Sequence, residues 1–341
     1  MQAKAINEQV AVLFGASSGI GRATARRFAE QGARVVIVAR SNDGLESLAT
    51  EIKQKGGQVL ALTADTADYE QVSRVAEQTV AHFGRIDTWV HLAAVSVYGY
   101  TWEVPPDELA QVIITDLIGQ IYGARAAIPH MRADGGTLIH ISSVLGMRGM
   151  PLQSAYSAAK HGVNGFTEAL RLELRHAKIP VQVTTIMPSA INTPFFENAK
   201  SHMGVKPAGM APYYQPELVT DAIMYAAEHP VRDIVVGGAG KLLNVAQRIS
   251  PPLVDELLVH TAFKAQTLPE IELAEGPNNL EAPLSSTNQT HGTMSPVRNT
   301  SLSSWLDFNP GTRKLLTSTV ALGAVLLLRR ALNIAEPQSR W

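Results

Sequence analysis

Tyr156 and Lys160 stand four residues apart in the run Ser154-Ala155-Tyr156-Ser157-Ala158-Ala159-Lys160, so on a helix their side chains share one face. A free phenol has a pKa near 10 and is a poor base at neutral pH. An ammonium beside it favours phenolate and lowers that value. A lowering of about 3 pKa units corresponds to about 4 kcal/mol of differential interaction, which a close, partly desolvated cation can supply. Tyr156 is then an acid or base suited to a carbonyl/alcohol pair. Ser143 ends a short apolar run upstream, Ile139-His140-Ile141-Ser142-Ser143, and its hydroxyl could hold the substrate oxygen beside the phenol. A Tyr-x-x-x-Lys pair alone is common and mostly structural, so the reading needs a second signal.

That signal is the run Phe14-Gly15-Ala16-Ser17-Ser18-Gly19-Ile20-Gly21, which follows one apolar run and opens a helix-patterned segment. Glycines at 15, 19 and 21 allow a tight turn and a close approach of backbone N–H groups to a pyrophosphate, which the helix N-terminus favours electrostatically. Ser17 and Ser18 add hydroxyl donors. The expected ligand is a nicotinamide dinucleotide, whose positive ring in the oxidised form would act on Tyr156 in the same sense as Lys160. The second apolar run ends Ile37-Val38-Ala39-Arg40-Ser41 and has no acid before Asp43. An acidic residue there holds the ribose hydroxyls of NAD, whereas a guanidinium accommodates a 2′-phosphate, so Arg40 favours NADP over NAD.

The elements that must position these groups alternate along the chain. Strands are expected at Val10–Phe14, Arg34–Ala39, Gln58–Thr63, Thr88–Leu92, Gly136–Ser142, Val181–Met187 and Asp233–Val236, with helices beginning near Ile20, Asn42, Asp68, Pro106, Ala155 and Pro216. Short β-branched runs between helix-patterned segments read as βαβ units around a parallel sheet. The fold class is α/β, a doubly wound Rossmann-type sheet of seven parallel strands. Ser143 then lies at the carboxyl end of the fifth strand, where such sheets present their ligands.

In that order and spacing, Gly15-x-x-x-Gly19-Ile20-Gly21, the Ile139 to Ser143 strand, Tyr156-x-x-x-Lys160 and Pro188 to Thr193 resemble the classical short-chain dehydrogenase/reductase family over about residues 8 to 262. The resemblance implies a single catalytic domain, a homodimer or homotetramer, and a Ser-Tyr-Lys set that serves hydride exchange between NAD(P) and a small-molecule carbonyl or alcohol. It implies that Tyr156 gives or takes the proton, Lys160 tunes it and binds the nicotinamide ribose, and Ser143 positions the substrate oxygen. It further places Asp65 on adenine, Ala93 beside the cofactor, and Ile191 and Thr193 at the carboxamide. A substrate lid is implied at about Asn192 to Gln215, and Leu145, Met147, Gln153, Phe195 and Phe196 are candidates for its pocket.

Several positions depart from the pattern. The family's catalytic Asn falls on Asp116, which adds a charge and predicts an altered pH profile. The Asn-Asn-Ala-Gly stretch is His91-Leu92-Ala93-Ala94, and the Thr before Gly15 is Phe14. These two places normally touch, so the pair reads as one exchange of a hydrogen bond for packing. Because Asp116 and the fourth-strand motif are unusual, a cofactor-binding scaffold or regulatory protein without turnover is the alternative to an enzyme.

The 341 residues carry 29 Lys+Arg against 30 Asp+Glu, a net charge of −1 that gives no sign of a nucleic-acid partner. No cysteine is present, which excludes thiolate chemistry, and the ten histidines show no metal-ligand spacing, so no metal is expected. Residues 1 to 9 lack the apolar stretch of a secretory signal, and the expected location is cytoplasmic. The catalytic domain is expected over 1–265. Residues 266–310 are rich in Pro, Ser, Thr and Asn, read as a flexible linker, and their Asn-x-Ser/Thr triplets at Asn288 and Asn299 are read as chance. Residues 311–341 hold an apolar stretch, 315–328, between Arg313-Lys314 and Arg329-Arg330. Fourteen helical residues span about 21 Å, short of a roughly 30 Å hydrocarbon core. Contact with an anionic membrane surface, docking on the domain or a partner, and disorder stand as the readings of this stretch.

Overall fold

The computed structural model describes residues 4–309 and 311–312. Seven parallel strands form the central sheet: β1 (Val10–Phe14), β2 (Arg34–Ala39), β3 (Gln58–Thr63), β4 (Thr88–His91), β5 (Gly136–Ile141), β6 (Val181–Pro188) and β7 (Asp233–Val236). They lie in the order β3-β2-β1-β4-β5-β6-β7. The order reverses between β1 and β4, and this switch point opens a crevice at the strands' carboxyl ends. Each expected strand is present within one residue of its predicted end.

Helices lie on both sheet faces, so a central strand such as β1 is apolar and buried along its whole length, whereas the edge strand β3 is half-exposed. From β1, Ala11 and Leu13 point into a core shared with Phe28, Leu48 and Ile223, whereas Val12 and Phe14 enter a second core with Val75, Ala127 and Leu174. The first core is roofed by α1 (Gly19–Glu30), α2 (Asn42–Gln54) and a later helix; the second by α3 (Tyr69–Phe83) and helices that follow β4. The side chain of Ser41 caps α2 by accepting from the Gly44 N–H at 3.2 Å, and Asp68 caps α3 by accepting from Gln71 at 3.1 Å.

After β4, α4 (Pro106–Ile113) runs through a π-helical turn, Ile114–Ile118, into α5 (Gly119–Met131). The extra residue in such a turn re-aims the side chains it carries, and these turns recur at functional sites. Asp116 sits within it, fully buried. Then follow α6 (Ser154–His176), α7 (Pro216–Glu228), α8 (Gly238–Ile249) and α9 (Pro251–Ala265). Both α8 and α9 lie beyond the helices expected from the sequence. Their apolar residues do not make one inward stripe: Val254, Leu258 and Ala262 are buried, but Leu242, Ile249 and Leu253 are exposed.

Where composition pointed to a linker, the structure lays residues 266–309 against the catalytic body. Thr267–Ile271 pairs antiparallel with Val205–Pro207, and Val297–Arg298 pairs parallel with Tyr213–Tyr214. Leu280 is fully buried among Val95, Val97, Val104 and Val112, and burial of one such side chain is worth roughly 1.5–3 kcal/mol. A final helix, α10 (Leu302–Phe308), is held by the Lys241–Asp307 ion pair at 2.5 Å and by Gly237 N–H donating to Ser304 at 3.1 Å. Polar composition alone misled here, because this segment gains its order from a few deep anchors and not from a repeating apolar face. The stretch 315–328 lies outside the described residues; among those described, no helix is long and apolar enough to cross a membrane.

Candidate active site

Tyr156 and Lys160 occupy the first two turns of α6, and the helix start is fixed from below: Ser157 accepts from the Met150 N–H at 3.1 Å and Gln153 donates to Ser96 at 3.3 Å. Lys160 is buried to its tip. Its ammonium donates to the Ile141 carbonyl at 3.2 Å, pairs with Asp116 Oδ2 at 3.2 Å, and lies 5.2 Å from the centre of the Tyr156 ring. Asp116 Oδ1 accepts from the Val95 N–H at 2.8 Å, tying the chain after β4 to the π-helical turn. Ser143, just beyond β5, lines the same cavity as Tyr156, its hydroxyl favours the phenolate, and it accepts from the Leu145 N–H at 3.1 Å.

The electrostatics differ from the sequence expectation. Burial pushes the Tyr156 phenol up, the Asp116 carboxylate pushes it further, and the Ser143 hydroxyl offsets only part of this. The expected lowering fails first because burial penalises the phenolate, and second because Asp116, at the position where the resemblance implies Asn, sets a negative charge beside Lys160. Burial raises the Asp116 carboxyl in turn, against the pull of Lys160 and the Val95 N–H. In the chain by itself, therefore, Tyr156 holds its proton at neutral pH.

The glycine turn faces this cluster across the crevice. Gly15 has φ +83°, and a Cβ there would fall 2.6 Å from the Ala93 nitrogen; one on Gly21 would fall 2.1 Å from the Gly15 carbonyl oxygen. The bare backbone is what lets turn, helix and the chain after β4 close together. Gly15 and Ala16 both donate to the Val38 carbonyl, at 2.8 and 3.1 Å, locking the turn to β2. Ser18 starts α1 with its side chain uncommitted to capping, leaving a hydroxyl beside the N–H groups that a helix start cannot satisfy internally. Such a cradle fits a pyrophosphate.

One cavity of about 450 Å³ joins the two halves, within the range of small-molecule sites. It is bordered by Gly15, Ser17, Ser18, Gly19, Ile20 and Gly21 at one end and by Ser143, Tyr156 and Lys160 at the other. Asp65, Ala93, Ile191 and Thr193 also line it. Asp65 closes its own turn by accepting from the Ala67 N–H at 2.9 Å, and Thr193 stands opposite Gly19, its side chain 3.3 Å from where a Cβ would be. Asp116 lies behind Lys160, outside the cavity lining. Leu145, Gln153, Phe195 and Phe196 border the cavity, and Met147 does not. The Phe195 ring is 5.4 Å from that of Tyr156.

Two features escaped the sequence. One is polar: His91 hydrogen-bonds Thr66 at 2.8 Å, in addition to the expected packing, in which the Phe14 ring stacks on its imidazole with centroids 5.3 Å apart and planes 4° from parallel. More consequential is Arg40. Its guanidinium donates to the backbone carbonyls of Asn279, Leu280 and Glu281, at 2.5, 3.4 and 3.0 Å, and Asn279, Leu284 and Asn288 line the same cavity as Arg40. Backbone carbonyls carry no sequence signature, so nothing in residues 279–288 announced this contact.

Residues 9–204, more than half of the chain, match the short chain dehydrogenase family. The chain belongs to that family. It is 40% identical to the uncharacterized oxidoreductase YxnA of Bacillus subtilis over 282 residues, covering 82% of this chain and 78% of that protein, a match too long to be contained in residues 1–265. It is 34% identical to a 3-oxoacyl-[acyl-carrier-protein] reductase of Synechocystis, covering 68% and 94% of the two chains. A short-chain type dehydrogenase/reductase from Mycobacterium marinum superposes with a TM-score of 0.61 at 27% identity, covering 69% of this chain and 96% of the other. As a short-chain dehydrogenase the protein is an oxidoreductase of the CH–OH/C=O type, in a family that uses NAD(P).

Proposed function

We propose that the protein is an NADP-dependent carbonyl reductase for lipophilic ketones or aldehydes, working reversibly on the corresponding alcohols. The observation that carries this is the shared cavity: the glycine cradle at one end, Tyr156 with Ser143 at the other, and largely apolar side chains such as Phe195, Phe196 and Met210 between them. When bound, the nicotinamide supplies or accepts a hydride at carbon. The chain's own residues do the rest. Ser143 donates to the substrate oxygen and orients it toward the phenol. Tyr156, kept protonated by burial and by Asp116, delivers its proton to that oxygen as it gains negative charge. Lys160 has three donors, of which two are committed to Ile141 and Asp116; the third serves a ribose hydroxyl. Orientation of the carbonyl beside both donors supplies most of the rate.

The preference for NADP rests on the absence of a carboxylate at the end of β2 and on Arg40 there. Arg40 in this reading has a divided role, since three backbone carbonyls already accept from it. Asp65 contacts adenine, and Ile191 and Thr193 seat the carboxamide. Oxidation of NADPH and of NADH against a panel of ketones, aldehydes and quinones tests the proposal, with faster turnover of NADPH on apolar carbonyls expected. The compensated Lys160–Asp116 pair favours one other reading, a dinucleotide-binding protein with no turnover; nucleotide binding with no oxidation across that panel would establish it instead.

A further inference from the structure

We propose that residues 279–289 are a wall of the dinucleotide site: a clasp that closes over the adenosine half of the cofactor and must lift for it to enter or leave. This rests on the reading of the cavity as a dinucleotide cleft.

The segment is anchored at both ends and thin between. Upstream, Leu280 is fully buried and the Asn279 N–H donates to the Asn198 carbonyl at 2.9 Å. Downstream, Thr290 is buried and accepts from Arg26 at 3.2 Å, and Met294 is buried, its N–H donating to Asn192 Oδ1 at 3.0 Å. Between the anchors, Glu281, Ala282, Pro283, Ser286 and Gln289 are exposed. A stretch with few buried contacts opens at low free energy, while its anchors hold at the cost of deep burial.

Its underside meets the cofactor elements one by one. The Gln289 carbonyl accepts from the Gly19 N–H at 2.8 Å, at the start of the phosphate-binding helix. Asn288 donates to Ser41 at 3.3 Å, and Arg40 holds the carbonyls of 279–281. These are the positions beside which an adenosine ribose and its 2′-phosphate would lie. The cavity persists beneath: Pro283 and Leu284 give it an apolar face suited to a purine ring, and Asn279, Thr287 and Asn288 give it neutral hydrogen-bonding groups. The segment therefore roofs the cleft and does not fill it. Arg40 acts as a latch, able to hold the clasp's carbonyls and, with a phosphate beneath, to share its five donors between the two.

The chain has no cysteine, so a single engineered disulfide can lock the clasp. A Cβ on Gly44 would fall 2.7 Å from Cγ of Asn288, so the Cβ of residue 288, one bond of about 1.5 Å from that Cγ, lies within about 4.2 Å, inside the roughly 3.5–4.5 Å Cβ–Cβ range of a disulfide. The test uses full-length G44C/N288C, oxidised and reduced. The reduced form of the same protein is the reference, which absorbs any local shift of Ser17. NADPH association and dissociation are followed by nucleotide fluorescence on rapid mixing, and hydrogen exchange of residues 279–294 is followed in the unaltered protein. Locking before NADPH is added should slow association at least tenfold. Locking after loading should slow dissociation at least tenfold, and reductant should restore both. Bound NADPH should slow exchange across 279–294. Equal rates in the oxidised and reduced forms, faster exchange with NADPH bound, or failure of the two cysteines to pair would each overturn the clasp. If neither NADPH nor NADH binds the reduced and unaltered proteins, the dinucleotide reading itself falls, and the clasp with it.

Discussion

Lys160 donates to a carboxylate and a carbonyl before it can act on any phenol, and this fixes what each single substitution should do. Tyr156→Phe removes the proton carrier and little volume. It should lower kcat/KM for carbonyl reduction by at least about 100-fold, the usual scale for a general acid, while NADPH affinity by fluorescence titration stays within a few-fold. Retained turnover would remove Tyr156 from the proton path. Asp116→Asn keeps an acceptor for the Val95 N–H but deletes the charge that raises the phenol. Because that carboxylate disfavours phenolate, its loss lowers the Tyr156 pKa. The alkaline limb of the reduction profile, where the donor proton is lost, should move to lower pH, and alcohol oxidation should begin at lower pH. Unmoved limbs in a pH–rate series would show that Asp116 does not act on Tyr156. The pair Tyr156 and Lys160 was legible because helical spacing brings i and i+4 together. The charge that Lys160 meets was not, because Asp116 reaches it from another helix through a π-helical turn that no side-chain period announces.

At the scale of elements, the turn between β1 and α1 is the least tolerant join in the site. Gly21→Ala places a methyl carbon 2.1 Å from the Gly15 carbonyl oxygen, a contact that only backbone movement relieves. Overpacking of this kind costs about 1–3 kcal/mol, so thermal unfolding should shift down by several degrees and NADPH affinity should fall together with it. A melting temperature equal to that of the unaltered protein would mean the turn has room that the structure lacks. The seven strands were readable almost to the residue because each is a short run rich in β-branched and apolar residues between longer helix-patterned segments. Helices α8 and α9 were not expected, and the fold turns Leu242, Ile249 and Leu253 of their apolar residues to solvent. Residues 266–309 were unreadable because their order comes from Leu280, Thr290, Met294 and backbone bonds far apart in the chain.

Across the whole molecule, stability carries a pH signature from the core. His140 is fully buried, with Nδ1 3.0 Å from Gln120 Oε1. Gln120 spends its amide hydrogens on the Asp116 and Ile141 carbonyls, so its oxygen accepts and His140 donates from Nδ1, leaving a neutral imidazole. Burial first, and the Arg171 charge second, hold its pKa down to about 3 against an ordinary 6.5; burial depresses His91 in the same sense. The unfolded chain takes up these protons below about pH 6.5 and the folded one does not. Stability from His140 is thus complete above that pH and is lost as pH falls toward 3, at up to about 1.4 kcal/mol per pH unit. Denaturant unfolding between pH 7 and 5 should show this slope, and His140→Asn should flatten it; an equal slope in the variant would place the sensitivity elsewhere.

The floor on which Leu280 rests, formed by Val95, Val97, Val104 and Val112, belongs to the catalytic body, yet its cover arrives from beyond residue 265. The match to the family model ends at residue 204; the object that folds does not. A chain trimmed after Ala265 would leave greasy ground open to water, a surface prone to self-association, and a nucleotide site lacking one side. Transplanting this oxidoreductase into another polypeptide, or shortening it for production, would have to carry the sequence through Phe308.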